Sequence, residues 1–241
     1  MSNLRGSLIV PAQNEGEFIN TFLLRCAECI KAPLEILIVV DNEDDTTFSA
    51  IRNEFHSNNL LVRKLINTYG NGPANAIKFG IDSAQTPVLV VTMADGSDDP
   101  NCIDNMVRLV ERGCAMVVAS RYMPGGQQIG GPKVKRFLSR NASRILRLFA
   151  GIRINDATNS FRAFSAEFAH KSEIKSRNGF ELGLELTAKA KRSKQLIAEI
   201  PTVWIDRQSG NSKFRLIKWL PSYIKWFLYC FGPNNLNLNR E

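Results

Sequence analysis

The stretch Val88-Leu-Val-Val-Thr-Met-Ala-Asp-Gly-Ser-Asp-Asp-Pro100 decides the reading of this chain. An apolar, β-branched run ends abruptly in three carboxylates, Asp95, Asp98 and Asp99, set among Gly96, Ser97 and Pro100. A buried parallel strand followed by a polar turn has this form, and the carboxyl ends of such strands are where open α/β sheets bind ligands. Clustered carboxylates there suit a hard divalent cation, which takes oxygen ligands and can carry a substrate's phosphates. The stretch therefore points to phosphate or nucleotide chemistry on a parallel sheet.

The flanking sequence agrees. Ser7–Val10, Glu35–Val40, Leu60–Ile66 and Ala115–Ala119 also read as strands, with helix-like stretches over Phe18–Lys31, Thr46–Phe55, Ala74–Ala84 and Ile103–Arg112 between them. Alternation of this kind predicts βαβ units and a mostly parallel, Rossmann-like α/β sheet flanked by helices. Beyond Ser120 the texture changes. Tyr122–Pro132 is rich in Gly and Pro and reads as a loop, equally compatible with a lid and a passive connection. A basic amphipathic helix over Lys133–Ala150 follows, then a helix over Gly183–Ser193, a strand over Leu196–Ile205 and a polar basic loop over Asp206–Lys213. In Phe214–Phe231, Arg215, Lys218, Ser222 and Lys225 share one helical face opposite Leu216, Trp219, Leu220, Tyr223, Ile224, Phe227 and Leu228. That amphipathic helix suits either a membrane interface or packing on the domain. The expected organisation is a domain over 1–213, the helix over 214–231 and a polar tail over 232–241.

Length and composition narrow the class. A chain of 241 residues holds one large α/β domain, or a domain with an appendage. Hydrophobic content of 44% against 22% charged residues excludes disorder as the default. A net charge of +8 and a pI near 9.4 favour an anionic partner: nucleic acid, phosphorylated substrates or an anionic membrane surface. Basic residues that accompany acidic clefts, without a nucleic-acid motif, argue against nucleic acid. Five cysteines and an amino terminus without a signal-peptide pattern predict a reduced, cytoplasmic setting. Cys26 and Cys29 lie on a helix-like segment with no second pair, which favours ordinary helix residues over zinc or redox chemistry. His56 and His170 are the only histidines, too few for a multi-histidine metal site.

Three further loops sit at the same edge of the predicted sheet. Val10-Pro-Ala-Gln-Asn-Glu-Gly16 follows the first strand, where polar side chains could bind a nucleobase or ribose, or Asn14 could cap the next helix. Asp41-Asn-Glu-Asp-Asp45 follows the second: Asp41 sits where a base-reading carboxylate belongs, and Asp45 before two threonines reads as a helix cap. Asn67-Thr-Tyr-Gly-Asn-Gly-Pro-Ala-Asn75 follows the third, either as a phosphate-approaching turn or as a structural one. It misses the dinucleotide fingerprint because Asn75 stands where the third glycine belongs.

Taken in order, Val10–Glu15, the strand ending at Asp41, Gly70–Ala76 and Met93–Pro100 resemble family-two glycosyltransferases of the GT-A fold. Ser120-Arg-Tyr122, Asp156–Phe164, Glu185, and the segment from Ile200-Pro to Arg207-Gln-Ser-Gly-Asn-Ser-Lys213 are similar to the dolichyl- or polyprenyl-phosphate mannosyltransferase branch. The resemblance implies a nucleoside-diphosphate sugar held by Pro11, Ala12, Asn14, Glu15, Asp41, Asn42, Gly72, Asn75, Ala94 and Asp95. It implies Mg2+ or Mn2+ at Asp95, with Asp98 as a further ligand. The chain departs from the family there, because Met93 occupies the first carboxylate position of the Asp-x-Asp motif. Asp98, Ser97 or donor phosphates must then contribute, or the metal is dispensable. Asp95, Arg207 and Lys213 are the implied catalytic set, the two cations neutralising the departing diphosphate. Arg121, Lys135, Arg136, Ser139 and Arg162 would receive the acceptor's phosphate.

The implied reaction is transfer of a mannose- or glucose-type hexose, with inversion, to a polyprenyl phosphate at the cytoplasmic face of a membrane. A membrane-protein partner or homo-oligomer is compatible with it. The alternatives are transfer to a glycan hydroxyl, for which Glu181 or Glu185 would serve as base, and a catalytically weak donor-binding scaffold.

Overall fold

The computed structural model describes residues 4–51, 57, 59–177, 179–206 and 216–233. Its centre is a seven-stranded sheet built from β1 (Gly6–Pro11), β2 (Leu34–Val40), β3 (Leu60–Ile66), β4 (Val88–Val91), β5 (Met116–Ser120), β7 (Arg162–Ser165) and β8 (Ile197–Pro201), in the order β3-β2-β1-β4-β7-β5-β8. Every neighbouring pair is parallel except the two made by β7, which runs antiparallel between β4 and β5. The short strands β6 (Gln127–Ile129) and β9 (Val203–Ile205) form a separate parallel pair.

Side-chain alternation distributes each strand between two cores. Leu8, Val10, Ile36, Ile38, Val90 and Val117 face a layer formed by α1 (Phe18–Cys29) and α4 (Ile103–Glu111). Ile9, Leu37, Val39, Leu89, Met116 and Val118 face the opposite layer. That second layer comprises α3 (Pro73–Ser83), α5 (Lys133–Phe149), α6 (Ala166–Lys171), α7 (Leu182–Arg192) and α8 (Leu216–Tyr229). Burial on both faces is why the central strands read as unbroken apolar runs. The two edge strands, β3 and β8, show exposure along their length, and β3 carries Arg63 and Lys64 there. Helix α3 approaches the sheet closely: a Cβ at Gly80 would stand 2.5 Å from Ile9 Cγ2.

The βαβ half matches the sequence expectation closely, with α2 (Thr46–Ala50) as the described part of the helix expected over Thr46–Phe55. Three features differ. The loop expected over Tyr122–Pro132 contains β6. The strand expected over Leu196–Ile205 is two strands, because Thr202 donates its backbone N–H to Ser120 O (3.0 Å) and the chain then leaves the main sheet for the β6–β9 pair. The segment Arg162–Ser165, not expected as a strand, completes the sheet.

Helix α8 settles against the domain by Trp226 and Cys230, both buried, with Tyr223 and Phe227 packed beside them. Leu220, Ile224 and Leu228 face outward instead, so the apolar surface expected on a single face is divided between core and solvent. Among the described residues, no helix is long and apolar enough to cross a membrane. All five cysteines are free thiols, and burial, followed by the neighbouring Cys29, pushes Cys26 up to about 12, leaving an inert helix residue.

Candidate active site

The order β3-β2-β1-β4 places the loops after β1, β2 and β4 side by side, and the connections diverge to opposite sides between β1 and β4. That divergence is the topological switch point at which open α/β sheets bind ligands. Glu15 follows β1, Asp41 follows β2 and Asp95 follows β4, so three carboxylates distant in sequence share one edge of the sheet.

The loops are tied to one another before any ligand arrives. Pro11 and Ala12 are buried at the end of β1, where Ala12 N–H donates to Val39 O (2.9 Å). Asn14 adopts a left-handed backbone (φ 51), and its N–H donates to both carboxylate oxygens of Asp45 at 3.0 Å. The Glu15 N–H donates to Thr47 Oγ1 (3.1 Å), and Asp45 caps α2 by accepting from Thr47 N (2.9 Å). Asn14 therefore braces the loop onto the start of α2; the N-cap position of α1 belongs to Glu17.

Asp41 accepts from Asn67 Nδ2 and from the backbone N–H of Gly72, both at 2.9 Å. The glycine turn is thus organised around Asp41, and Gly72 needs its φ of 111 to present that N–H. Asn75 lies one turn into α3 and donates to Asn71 O (3.2 Å), while Asn42 is exposed at the rim.

The turn after β4 is held on every side. Asp95, half-buried, accepts from Ser97 N–H (3.0 Å). Gly96 (φ 70) has its carbonyl held by Arg25 (2.9 Å), and Ser97 O accepts from Ile205 N–H (3.0 Å). Ala94 is buried beneath the turn. Asp99 caps the 3-10 turn Pro100–Cys102 by accepting from Asn101 N–H (3.1 Å). Asp98 does no capping: it turns back to accept from Thr92 Oγ1 (3.0 Å) and Met93 N–H (3.1 Å). Burial, then the charge of Asp95, pushes the Asp98 carboxyl up to about 7.

Burial is the larger part of that shift, but the two carboxylates do feel each other's charge, and a magnesium-type ion takes one or two carboxylates plus substrate phosphates. Among the described residues there is no group of three or more His, Cys, Asp or Glu side chains able to hold a metal alone. Asp95 and Asp98 thus fit an ion completed by donor phosphates, and Met93 supplies no oxygen.

Across from this turn lies a basic cluster. Arg121, at the end of β5, donates through Nε (2.7 Å) and Nη2 (3.0 Å) to the fully buried Asp156, and its backbone N–H donates to the same carboxylate (3.2 Å). Burial opposes both charges, but the pairing prevails: Arg121 is held above and Asp156 below the ordinary value. Ser139 Oγ, on α5, accepts from Tyr122 Oη (3.2 Å) and shares a hydrogen bond with Thr158 Oγ1. Arg136 donates to Gln128 O (2.9 Å) and Gly130 O (2.8 Å), fastening α5 to the β6 segment. Lys135 is the link to the carboxylate edge. Burial, then Arg121, pushes its amine down to about 8, while Asp206 and Asp95 oppose the shift. Lys135 therefore stands within electrostatic reach of both Arg121 and Asp95.

Arg162 does not belong to this open cluster. It is fully buried and donates to Asn159 O, Thr187 Oγ1 and Ala157 O (2.6 Å for the last). Burial pulls it down to about 10. It positions the Asp156–Asn159 loop from inside the core, so the structure does not bring it together with Arg121, Lys135 and Ser139 as the sequence expectation had it.

Glu185 is likewise committed: fully buried, it accepts from Lys175 N–H and Ser176 N–H (both 2.7 Å) and pairs with Lys189 Nζ at 2.5 Å. Glu181 is 1% exposed beside the half-buried Tyr223, whose phenol is raised by burial and then by Glu181. Arg207 and Lys213 lie outside the described residues. Sequence reasoning missed Asp156, which holds Arg121, and Asp206, which accepts from Gly131 N–H (3.1 Å). Asp156 opens a motif that the resemblance had already singled out, whereas nothing in the local sequence marks Asp206.

The chain is similar to known proteins over most of its length. The family profile described as Glycosyl transferase family 2 matches residues 7–172, more than half of the chain. An undecaprenyl-phosphate mannosyltransferase of Micrococcus luteus is 26% identical over 215 residues, covering 87% of each chain. A polyprenol monophosphomannose synthase of Mycolicibacterium smegmatis is 28% identical, covering 87% of this chain and 80% of the relative. A dolichol-phosphate mannosyltransferase of Pyrococcus furiosus is 27% identical over 92% of this chain, which spans 64% of that protein's length. Among solved structures, glucosyl-3-phosphoglycerate synthase from Mycobacterium tuberculosis, in complex with Mn2+, UDP-glucose and glycerol 3-phosphate, aligns with a TM-score of 0.66 at 16% identity. That alignment covers 95% of this chain and 80% of the other, a likeness that shows the shared fold.

Proposed function

The chain belongs to glycosyl transferase family 2, and from that premise we propose that it moves a mannose-type hexose from a nucleoside-diphosphate sugar to a polyprenyl phosphate. The names of the relatives support the acceptor class and the sugar. The single observation that carries the reading is the hydrogen-bonded tie between the two walls: Ser97 O in the Asp95 turn accepts from Ile205 N–H in β9 (3.0 Å), and Arg136 on α5 donates to Gln128 O (2.9 Å) and Gly130 O (2.8 Å) in the segment that pairs with β9. Donor carboxylates and acceptor cations thus abut.

In this reading Glu15 and Asp41 select the nucleoside, with Asn14, Asn42, Gly72 and Asn75 shaping its pocket. The acceptor phosphate lies against Arg121, Lys135 and Ser139. A phosphate monoester is already ionised near neutral pH, so its oxygen attacks the anomeric carbon without a general base. The bond to the departing diphosphate breaks on the opposite side, and the anomeric centre inverts. The residues contribute positioning and fixed charge, which favour the transition state over the ground state. A divalent cation held by Asp95 and Asp98 supplies, when bound, further charge against the departing diphosphate. Arg207 and Lys213 are proposed to face that same diphosphate.

Transfer to a sugar hydroxyl needs a carboxylate base, and the burial of Glu185 in its own ion pair disfavours that alternative. The reaction is placed at the cytoplasmic face of a membrane, where a lipid acceptor presents its phosphate.

The test incubates the full chain with radiolabelled nucleoside-diphosphate hexoses and a polyprenyl phosphate. Label should move into the organic phase. Asp95→Asn should lower that transfer by about a hundredfold or more, the scale of losing one transition-state contact, with an unchanged melting temperature. Label appearing only in aqueous glycan, or an undiminished Asp95→Asn, would overturn the reading.

A further inference from the structure

Helix α5 has two faces with different surroundings. Lys135, Ser139, Ser143 and Leu146 turn inward, toward Arg121, Thr158 and the second core layer. On the opposite side Val134, Phe137, Leu138, Ile145, Leu148 and Phe149 stand between 41% and 75% exposed. At the helical repeat these six form a stripe within an arc of about 120°, interrupted midway along the helix by Asn141 alone. Lys133, Arg140, Arg144 and Arg147 lie along one border of the stripe. The helix holds six Lys or Arg residues and no Asp or Glu.

An uncovered stripe of large apolar side chains marks a docking surface. Its cationic border chooses the occupant, because an apolar face beside a row of Lys and Arg matches an interface of acyl chains beneath anionic head groups. The carboxy-terminal helix, whose sequence suits either that role or packing on the domain, spends Trp226 and Cys230 on the core. We propose that α5 lies in the interface of an anionic lipid bilayer, with its apolar stripe at the acyl boundary and its inner face at head-group depth.

This placement rests on the lipid-phosphate reading only in its final consequence. A helix with its side chains is about 10 Å across, so a phosphate carried by a lipid beside α5 meets Arg121, Lys135 and Ser139 without leaving the membrane surface.

The experiment is vesicle co-sedimentation of the full chain, which needs neither donor nor turnover. Vesicles of phosphatidylcholine alone are compared with vesicles containing about 30% phosphatidylglycerol, at low salt and at about 0.5 M salt. The chain should bind the anionic vesicles and release in salt. The triple variant Phe137→Ser, Leu148→Ser, Phe149→Ser should bind about tenfold less or weaker still, and Arg140→Gln with Arg144→Gln should lose the preference for phosphatidylglycerol. All these side chains are exposed or at the rim, and a melting temperature within a few degrees of wild type confirms folding of each variant. Absence of binding by the wild type would overturn the proposal. So would full binding by the triple variant, or loss of binding confined to Leu220→Ser, Ile224→Ser, Leu228→Ser on α8. A dimer in solution that the triple variant dissociates would reassign the stripe to a second copy of this chain. Vesicle binding without lipid-linked product would sink the functional reading and leave this one standing.

Discussion

Replacing Asp156 by Ala removes a carboxylate with no exposure that accepts three hydrogen bonds from Arg121, at 2.7, 3.0 and 3.2 Å, and one from Asn159 N–H at 3.2 Å. The Arg121 side chain, 9% exposed, is left charged with no counter-ion. Breaking a buried pair from one side costs about 3–5 kcal/mol. For a chain of this size each kcal/mol lowers the midpoint by roughly 2–4 °C, so a fall of about 6–20 °C is expected. Converting both partners together, Arg121→Leu with Asp156→Leu, should cost less than the sum of the single changes, with a coupling of about 2 kcal/mol or more. The pH dependence follows from the sign of the shift. Asp156 lies below its ordinary value in the folded state, so its stabilisation is complete above the unfolded carboxylate's pKa, about 3.9, and is lost as pH falls through the lower folded value. Urea titration followed by tryptophan fluorescence at pH 7 and at about pH 3 reads both effects. An Asp156→Ala midpoint corresponding to a loss under about 1 kcal/mol at pH 7 would refute the claim that this pair sets the site.

Three more outcomes are expected. Transfer should decline as pH rises through about 8, where Lys135 loses its charge, and Lys135→Arg should move that limb upward; a pH–rate profile flat to about pH 10 would contradict the role given to it. Glu185→Gln should cost about 2–4 kcal/mol in denaturant while transfer per folded molecule stays within about threefold, whereas a general base would show the reverse pattern. Gly80→Val should destabilise by about 1–3 kcal/mol in a thermal melt, because its first side-chain carbon already meets Ile9 at 2.5 Å.

The half of the fold up to β5 was legible because β1, β2, β4 and β5 are buried on both faces and the longer helices between them carry one apolar face, so periodicity separates them. The antiparallel strand β7 was not. It is four residues long, begins with a fully buried arginine, and is fixed by pairing with β4 and β5 rather than by its own pattern. The division of Leu196–Ile205 was hidden for the same reason, since Thr202 marks the change of sheet through a bond to Ser120, far away in sequence. At the site, the positions of Glu15, Asp41 and Asp95 followed from strand ends. Their attachments did not: the hold of Asp41 on Gly72 and the turning inward of Asp98 depend on loop conformations that local sequence leaves open. Arg162 shows the converse: its place in a recognisable motif gives no sign that its guanidinium is enclosed by two carbonyls and the Thr187 hydroxyl.

The insertion of β7 between β4 and β5 has a consequence for how the molecule is made. On the ribosome, β3, β2, β1 and β4 emerge early and can pair among themselves, each new strand joining an edge already present. Strand β5 follows but has no place beside β4. It waits through more than forty residues until Arg162–Ser165 arrives to bridge them. During that interval the growing chain carries an unpaired β4 edge of Val and Leu, the kind of edge that recruits strangers. The strand that carries Arg121 at its end is therefore joined to the first half of the sheet only by those four late residues.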